Sequence, residues 1–488
     1  VSSMTDNQHD CTYCSATFDT LGEYAAHLEG NHDRTELNAV DRRWLDHYAD
    51  AVDESETVEN EEPGRPLDRR SVMTLAGAGA LGIAGMTVGI AQQSGLSSSD
   101  LPGMGTESNP TEISNLAELL TIDDDLEANY VLVADIDASE EEPIEPIGSV
   151  SDPFTGTLDG QGHEIVGLEI DGVGFYGHTG LFKAIGSGGR VESLHLIDVS
   201  ADGEQNAGGI AAENDGTIEG CSVEGTITAN DSSFSYAGMI TGSNSGSGAV
   251  RSSFARGTVD AEGDVAGGLV GTHSGTIEEC GAAVTVESEA DQAGGLVGES
   301  RFGGTISDSY AIGDVDSSGD DIGGLVGLNS ESESTTEHTY AAGSVEGNDN
   351  VGGLAGRNGD DATLSSSYWD ELATNQQDAI GQDDGTVDDV TGFDTDDGTG
   401  RADEMTGSDA ETNMDAFTFG GTWAAVEGGS AIGDVVPEED GYPILSSVDT
   451  ELQLDAQEIA FGEAQTGVAV EGEDVTIENV TVDGSDDE

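Results

Sequence analysis

The 488-residue chain carries 99 Asp and Glu against 13 Lys and Arg, a formal net charge of −86, and all its cations except Lys183 are arginine. A surface this acidic argues against binding nucleic acid or anionic lipid through the main body of the chain. The acid is spread evenly instead of gathered in a tail, which fits a folded protein built for multimolar salt: the Debye length is near 3 Å at about 1 M, against about 10 Å at 0.1 M.

In chain order, residues 1–50 open with Cys11, Cys14, His27 and His32 in the spacing Cys-x2-Cys-x12-His-x4-His. Phe18 and Tyr24 fall at the two apolar positions of a ββα finger, with Tyr24 where Leu is usual. The spacing is that of a zinc site, and the segment resembles the Cys-Cys-His-His zinc-finger family. One Zn2+ ion is therefore expected on these four side chains, supplying the folding energy that so small a core lacks. Family positions that contact bases flank the helix start; here they are Thr20, Glu23 and Ala26, none of them basic. A structural or protein-contact role is expected ahead of DNA reading. Leu37, Val40, Trp44 and Tyr48 continue at helical spacing, and residues 51–67 read as an acidic linker.

Residues 68–91 begin Asp68-Arg69-Arg70-Ser71-Val72-Met73 and run on weakly apolar and rich in Gly and Ala to Ala91. Paired arginines before such a run resemble a twin-arginine export signal, with Gly89-x-Ala91 as a cleavage site. About 20 residues also span a bilayer. Arg42, Arg43, Arg65, Arg69 and Arg70 all precede the run, which keeps the N-terminus in the cytoplasm. A signal ordinarily starts a chain, whereas a candidate zinc module lies ahead of this one. The expectation is an uncleaved single-span anchor through residues 71–91, finger inside and the rest outside; the alternative is secretion. No Cys follows the run, so no lipid anchor is expected there. Residues 92–110 are a Ser/Gly linker. Residues 111–178 are expected to open and cap the main domain, with a short helix over Ile113–Leu120 and a strand over Tyr130–Ile136.

From residue 179 to 370 the chain repeats itself. The residue before an apolar pair recurs at Gly180, Gly209, Gly238, Gly268, Gly295, Gly324 and Gly353, at intervals of 27 to 30 residues. Segments beginning Thr217-Ile218, Ala249-Val250, Thr276-Ile277, Thr305-Ile306 and Thr335-Thr336 align without a gap. One column is aliphatic (Ile218, Val250, Ile277, Ile306), one is small (Cys221, Ser253, Cys280, Ser309), and beside it stands a partly aromatic one (Phe254, Tyr310, Tyr340, Tyr368). Another is Ile227, Val259, Val286, Val315, Val345. With the Gly-Gly-Leu phrase this makes three short strand-like segments per period, bounded by Gly, Ser, Asn and Asp. Propeller blades need about 40 residues. The predicted fold is therefore all-β: a parallel β-helix of about 29-residue rungs, preceded by the ββα module and the hydrophobic helix. Strands about 4.8 Å apart give a core of roughly 30 Å. The glycines are expected to serve tight corners and close stacking. Cys221 and Cys280 stand two rungs apart, beyond disulfide reach, and are expected as buried free thiols.

At these residues the chain resembles the GLUG-motif family, named for its Gly-Leu-x-Gly phrase. The likeness extends upstream through Tyr130-Val131-Leu132 and Phe154-Thr155-Gly156-Thr157-Leu158-Asp159-Gly160. Downstream it takes in Ser367-Tyr368-Trp369-Asp370, Thr422-Trp423 and Tyr442-Pro443-Ile444-Leu445, for a span of about residues 111–447. The resemblance implies a surface or secreted β-solenoid of adhesin-like type.

Residues 371–448 read as acidic loops and a closing segment. Calcium is not supported there, because Phe393 and Thr395 fall where an EF-hand loop needs carboxylates. Residues 449–488 read as an acidic tail that alternates around Val468-Ala469-Val470 and Val475-Thr476-Ile477, with no fold assigned. No catalytic motif is found: His163-Glu164 lacks the second His of a zinc protease helix. A non-enzymatic binding, adhesion or scaffold protein of the cell surface is expected, its ligand a glycan or a protein. A secreted polysaccharide-active β-helix enzyme and a zinc-finger regulatory protein are the alternatives.

Overall fold

The structure, a computed structural model, describes Gly103 and residues 105–461 apart from 173–176, 231–234, 331–332, 396–399, 429, 433–436 and 438–439, together with the strands His9–Asp10 and Thr17–Phe18. The chain divides into two units, Val1–Val88 and Gly89–Glu488. The expected zinc ligands Cys11, Cys14, His27 and His32 and the run 68–91 lie outside the described residues. No described helix is long and apolar enough to cross a membrane.

The second unit is a parallel β-solenoid. A full turn lays down four strands, as in Thr241–Asn244, Ala249–Arg251, Phe254–Ala261 and Val265–Gly267. These join sheets of eight, twenty-two and six strands. Register follows the gap-free alignment: Ile218 lies opposite Val250, Val250 opposite Ile277, Ile277 opposite Ile306 and Ile306 opposite Thr336. Val259, Val286, Val315 and Val345 pair in the same way. The Gly-Leu column points inward, with Leu181, Ile210, Met239, Leu269, Leu296, Leu325 and Leu354 all fully buried. Each is worth about 1.5–3 kcal/mol on burial.

The turn has four strands where the sequence columns suggest three, because the aliphatic and aromatic columns sit on separate strands divided by a corner, with Cys221, Ser253, Cys280 and Ser309 between them. That corner is left-handed on eight successive rungs: Ser193, Gly220, Ser252, Glu279, Asp308, His338, Ser366 and Asp389 have φ between 45° and 63°. Such a conformation costs an L-residue about 1–3 kcal/mol and persists only where its surroundings enforce it. Here the corner amides of Ser193, Gly220, Ser252, Glu279 and Asp308 each donate to a carbonyl of the next rung. The paired glycines serve a different need. A Cβ on Gly268 would lie 2.0 Å from the Gly295 carbonyl oxygen, and on Gly295 2.3 Å from that of Gly324. Neither has a positive φ; their requirement is close approach of neighbouring rungs.

At the opposite corner runs a buried polar ladder that the sequence columns did not reveal. Asn214 Nδ2 donates to Asn244 Oδ1 at 2.8 Å, and Asn329 Nδ2 to Asn358 Oδ1 at 2.9 Å. His273 and Ser300 interrupt it. The imidazole takes Asn244 Nδ2 on Nδ1 and donates from Nε2 to the Thr305 carbonyl, so it fills space that Ser300 leaves. Ser300 Oγ and Asn329 Oδ1 are left without partners.

One end of the solenoid is closed by a helix, Leu116–Leu119, capped by Asn115 Oδ1 on the Glu118 amide. It is shorter than the expected Ile113–Leu120, because Thr111–Ile113 is a strand paired with Asn129–Leu132. The expected strand Tyr130–Ile136 is likewise two strands, Asn129–Leu132 and Ile136–Asp137. At the other end, residues expected as acidic loops add a further rung: Ile380–Asp383 lies under Ala355–Asn358, and Thr386–Phe393 under Thr363–Asp370. The closing segment then returns along the outside. It comprises the helix Gly407–Asn413, the antiparallel pair Trp423–Val426 and Gly441–Leu445, and the helix Thr450–Phe461, which lies in the expected acidic tail.

This segment covers the aromatic column. Tyr310 and Tyr340 stack at 5.0 Å, and Trp423 sits 5.8 Å from Tyr340. Tyr310 donates its hydroxyl to Gln453 Oε1 and Tyr340 to the Pro443 carbonyl. The buried Asp370 carboxylate accepts from the Tyr442 hydroxyl and from the amides of Leu372, Ala373 and Ala402.

Burial pushes the His273 imidazole down from 6.5 to about 4. The unfolded chain then binds the extra proton first on acidification, so His273's contribution to stability is complete above pH 6.5 and lost as pH falls towards 4. Replacing His273→Asn together with Ser300→Asn should restore an unbroken ladder. The pair should couple by about 1–3 kcal/mol relative to the single variants. Between pH 7 and 5, at constant salt, denaturant unfolding of the wild type should lose roughly 2 kcal/mol more than that of the double variant. Parallel pH profiles would contradict the buried neutral imidazole.

Candidate functional site

In the first unit, His9 lies opposite Phe18 and Asp10 opposite Thr17 in an antiparallel pair. Cys11 and Cys14 fall between the two strands in sequence. Among the described residues no group of three or more His, Cys, Asp or Glu side chains is placed to hold a metal ion.

On the solenoid, chemistry is distributed by column. Asp159, Glu192, Glu219, Arg251, Glu278, Ser307, Glu337, Ser365 and Asp388 succeed one another on consecutive rungs. Arginines stand where acids abut: Arg190 pairs with Glu192 and, at 2.7 Å, with Glu219, while Arg251 reaches Glu278 at 3.1 Å. Beyond Glu278, serine separates each acid from the next. Arg256 pairs with Glu224, Arg301 with Glu299 and Arg357 with Asp384, so these arginines are committed to carboxylates. Among the described residues, a second outward column has no such relief. Asp260, Glu287, Asp316 and Glu346 lie in register on four successive rungs, all exposed.

The aromatic column continues past the covered region as polar residues: Glu164, His195 and Ser222 precede Phe254 in register. His195 Nδ1 lies 2.6 Å from Ser222 Oγ, and burial holds the imidazole below its ordinary value. An acid, a histidine and a serine in line suggest nucleophilic chemistry, but acyl transfer also needs free donors for the developing oxyanion. The backbone amides around this pair are spent on the ladder: His195 donates to the His163 carbonyl, Ser222 to Leu194, and Phe254 to Cys221. The pair acts as a polar continuation of the column.

A small cleft near the closed end, about 160 Å³, is lined by Ser114, Asn115, Asp135, Asp137 and Glu141 among others. Two of its acids are already engaged. Asp135 accepts from His163 and from the Glu164 amide, and Asp137 from Ser139, each interaction holding the carboxyl below its ordinary value.

Cys221 and Cys280 are free and buried, with Ser253 between them in the column. Burial raises both thiols to about 12, so neither supplies a thiolate near neutral pH. Iodoacetamide should therefore leave both unmodified in the native protein and label both after denaturation, as read by peptide mapping. Native labelling of either would place it at the surface.

Comparison with known proteins places a family match on the repeat. Residues 203–228 match the model of the GLUG motif, one rung from Gly203 to Thr228. A stretch amounting to 36% of the chain is 33% identical to the protein named halomucin of Haloquadratum walsbyi, and spans 2% of that protein's length. A solved Bacteroides ovatus structure, provisionally described as an immunoglobulin A1 protease, matches with a TM-score of 0.43 at 17% identity, over 71% of this chain and 95% of that one. The chain is thus a parallel β-solenoid that carries the GLUG motif and shares part of its sequence with a halomucin.

Proposed function

We propose that the protein is a salt-adapted cell-surface solenoid that binds or scaffolds through its outer columns, anchored by residues 71–91 with the N-terminal module in the cytoplasm. The observation that carries this reading is the uncompensated column Asp260, Glu287, Asp316 and Glu346. Like charges directly opposite one another destabilise a sheet, and only concentrated salt screens them at rung spacing. A protein that tolerates them is suited to brine, and the similarity to a protein whose name joins salt and mucin is in keeping with that. The arginines paired to carboxylates leave the described solenoid surface acidic or hydroxyl-bearing, which favours a glycan or protein ligand over a polyanion. Cys11, Cys14, His27 and His32 would hold one zinc ion in a structural or protein-contact module. The antiparallel pairing of His9–Asp10 with Thr17–Phe18 supports that reading.

Far-UV circular dichroism should show β structure in multimolar KCl and its loss on dialysis to low salt. Glu287→Gln with Asp316→Asn should lower the salt concentration needed to fold; an unchanged requirement would remove the role given to this column. Protease shaving of intact cells should digest the solenoid and spare residues 1–50, and a protected solenoid would rule the topology out. Zinc content by mass spectrometry should fall from one ion per chain to none in a Cys11→Ser, Cys14→Ser variant. Absence of zinc from the wild type would overturn the module.

A further inference from the structure

On six rungs the residue that follows the polar ladder is small or acidic: Asp215, Ser245, Ser274, Ser330, Gly359 and Asp384. On the rung of Ser300 it is Arg301, and Phe302 comes next. Phe302 is 73% exposed, more than any other large apolar side chain among the described residues. Its φ is 53°, a backbone conformation that a bulky residue rarely adopts and glycine adopts freely. Burial gives no reason for a ring at this place, and the turn would form more readily without one.

Arg301 is equally out of pattern. Its guanidinium lies 5.6 Å from the centroid of the Phe302 ring and 5.4 Å from that of Tyr236, and its Nη1 donates to Glu299 Oε2 at 3.3 Å. Tyr236 stands two rungs away, because it pairs with Val265, and Val265 with Gln292 on the strand just before Val297–Ser300. The two side chains therefore meet across the intervening rung, that of Val265 and Thr272. Val265 is 2% exposed and Thr272 1%, although Thr272 belongs to the outward column of Ser243 and Glu299, which are only half-buried. Thr272 Oγ1 has no hydrogen-bond partner. A buried hydroxyl left unpaired is costly, and this one lies where an unbranched, movable side chain passes over its rung.

We infer that Phe302, Arg301 and Tyr236, with Thr272 beneath and Glu299 alongside, form a subsite for one ring of a neutral saccharide. This rests on the reading of the solenoid as a surface binder, and it names the ligand class. A pyranose presents an apolar C–H face, which suits the exposed Phe302 ring, and hydroxyls that both donate and accept. Glu299 supplies acceptors and the guanidinium donors; among the described residues Arg301 donates one hydrogen bond, to Glu299. When Arg301 swings away from Tyr236, the Thr272 hydroxyl gains a partner in the ligand. The Arg301–Glu299 pair carries no net charge and the surface around it is acidic, so an anionic sugar is disfavoured here. Concentrated salt acts in the same direction, since it screens ionic recognition and leaves ring stacking and hydrogen bonds.

The test is co-sedimentation of the full-length chain in multimolar KCl with insoluble β-glucan and chitin as neutral probes and a cross-linked polyuronate as the anionic one. The wild type should be retained by a neutral probe and not by the polyuronate. Phe302→Ala should weaken that retention about tenfold. Thr272→Val should weaken it too, while leaving thermal unfolding unchanged or raised, because the hydroxyl it removes has no partner in the fold; a merely structural Thr272 would leave retention as it was. Glu346→Gln, on a different sheet, should bind as the wild type does. Unchanged retention of Phe302→Ala would overturn the site and leave the solenoid a binder by another surface. Retention by the polyuronate alone would overturn the ligand class. A wild type that is folded by circular dichroism and sediments with none of the probes would overturn saccharide recognition and leave a protein as the ligand of the broader reading.

Discussion

Parallel pairing of each rung with the next is the constraint on which everything else rests. It sets a spacing of about 4.8 Å between equivalent residues and lays side chains one period apart over one another, whatever their chemistry. The backbone must come close for this to happen. The glycines at 268, 295 and 324 have the next rung's carbonyl where a Cβ would stand, which explains why the Gly-Gly-Leu phrase is the most regular feature of the sequence.

Stacking like upon like has different consequences for different columns. For Leu269, Leu296 and Leu325 it removes apolar surface from water continuously, and no rung could do this alone. For Asn214 and Asn244, or Asn329 and Asn358, it lets one amide satisfy the next. For tyrosines it offers ring stacking, as between Tyr310 and Tyr340. For carboxylates it is repulsive, and the structure meets the problem with Arg190 and Arg251, with serines at 307 and 365, or, along Asp260, Glu287, Asp316 and Glu346, not at all. Where the molecule leaves repulsion standing, screening falls to the solvent, and this is the ground of the proposed salt dependence.

What was legible in the sequence follows from the same physics. Apolar columns could be read because one inward position accepts one class of residue on almost every rung, with Thr336 the exception in the aliphatic column. The polar ladder could not, because Asn214, Asn244, His273, Ser300 and Asn329 are chemically varied and look like turn residues. The last rung was missed because Gln377-Asp378-Ala379 stands where the Gly-Gly-Leu phrase would and Asp383, Asp384, Asp388 and Asp389 suggest a loop; it was visible only as Thr-Val-Asp in the phase of Thr-Ile-Glu. Docking of residues 402–456 over the aromatic column depends on contacts far apart in the chain that no local pattern encodes. Of the candidate sites, Cys11, Cys14, His27 and His32 are proposed as zinc ligands from spacing alone and lie outside the described residues. The pairing of His195 with Ser222 arises only when rungs stack, and no motif announces it.

Spin labels on the outward threonine column test the stacking most directly. With Cys11 and Cys14 replaced by serine, and with Cys221 and Cys280 buried, cysteines introduced in pairs at 217 and 335, 217 and 363, and 217 and 386 can be labelled selectively. These positions lie four, five and six rungs apart. Pulsed electron resonance in concentrated KCl should give distances of about 19, 24 and 29 Å, rising by about 4.8 Å per period. Distances that fail to increase, or that change without a constant step, would show that residues one period apart do not stand over one another.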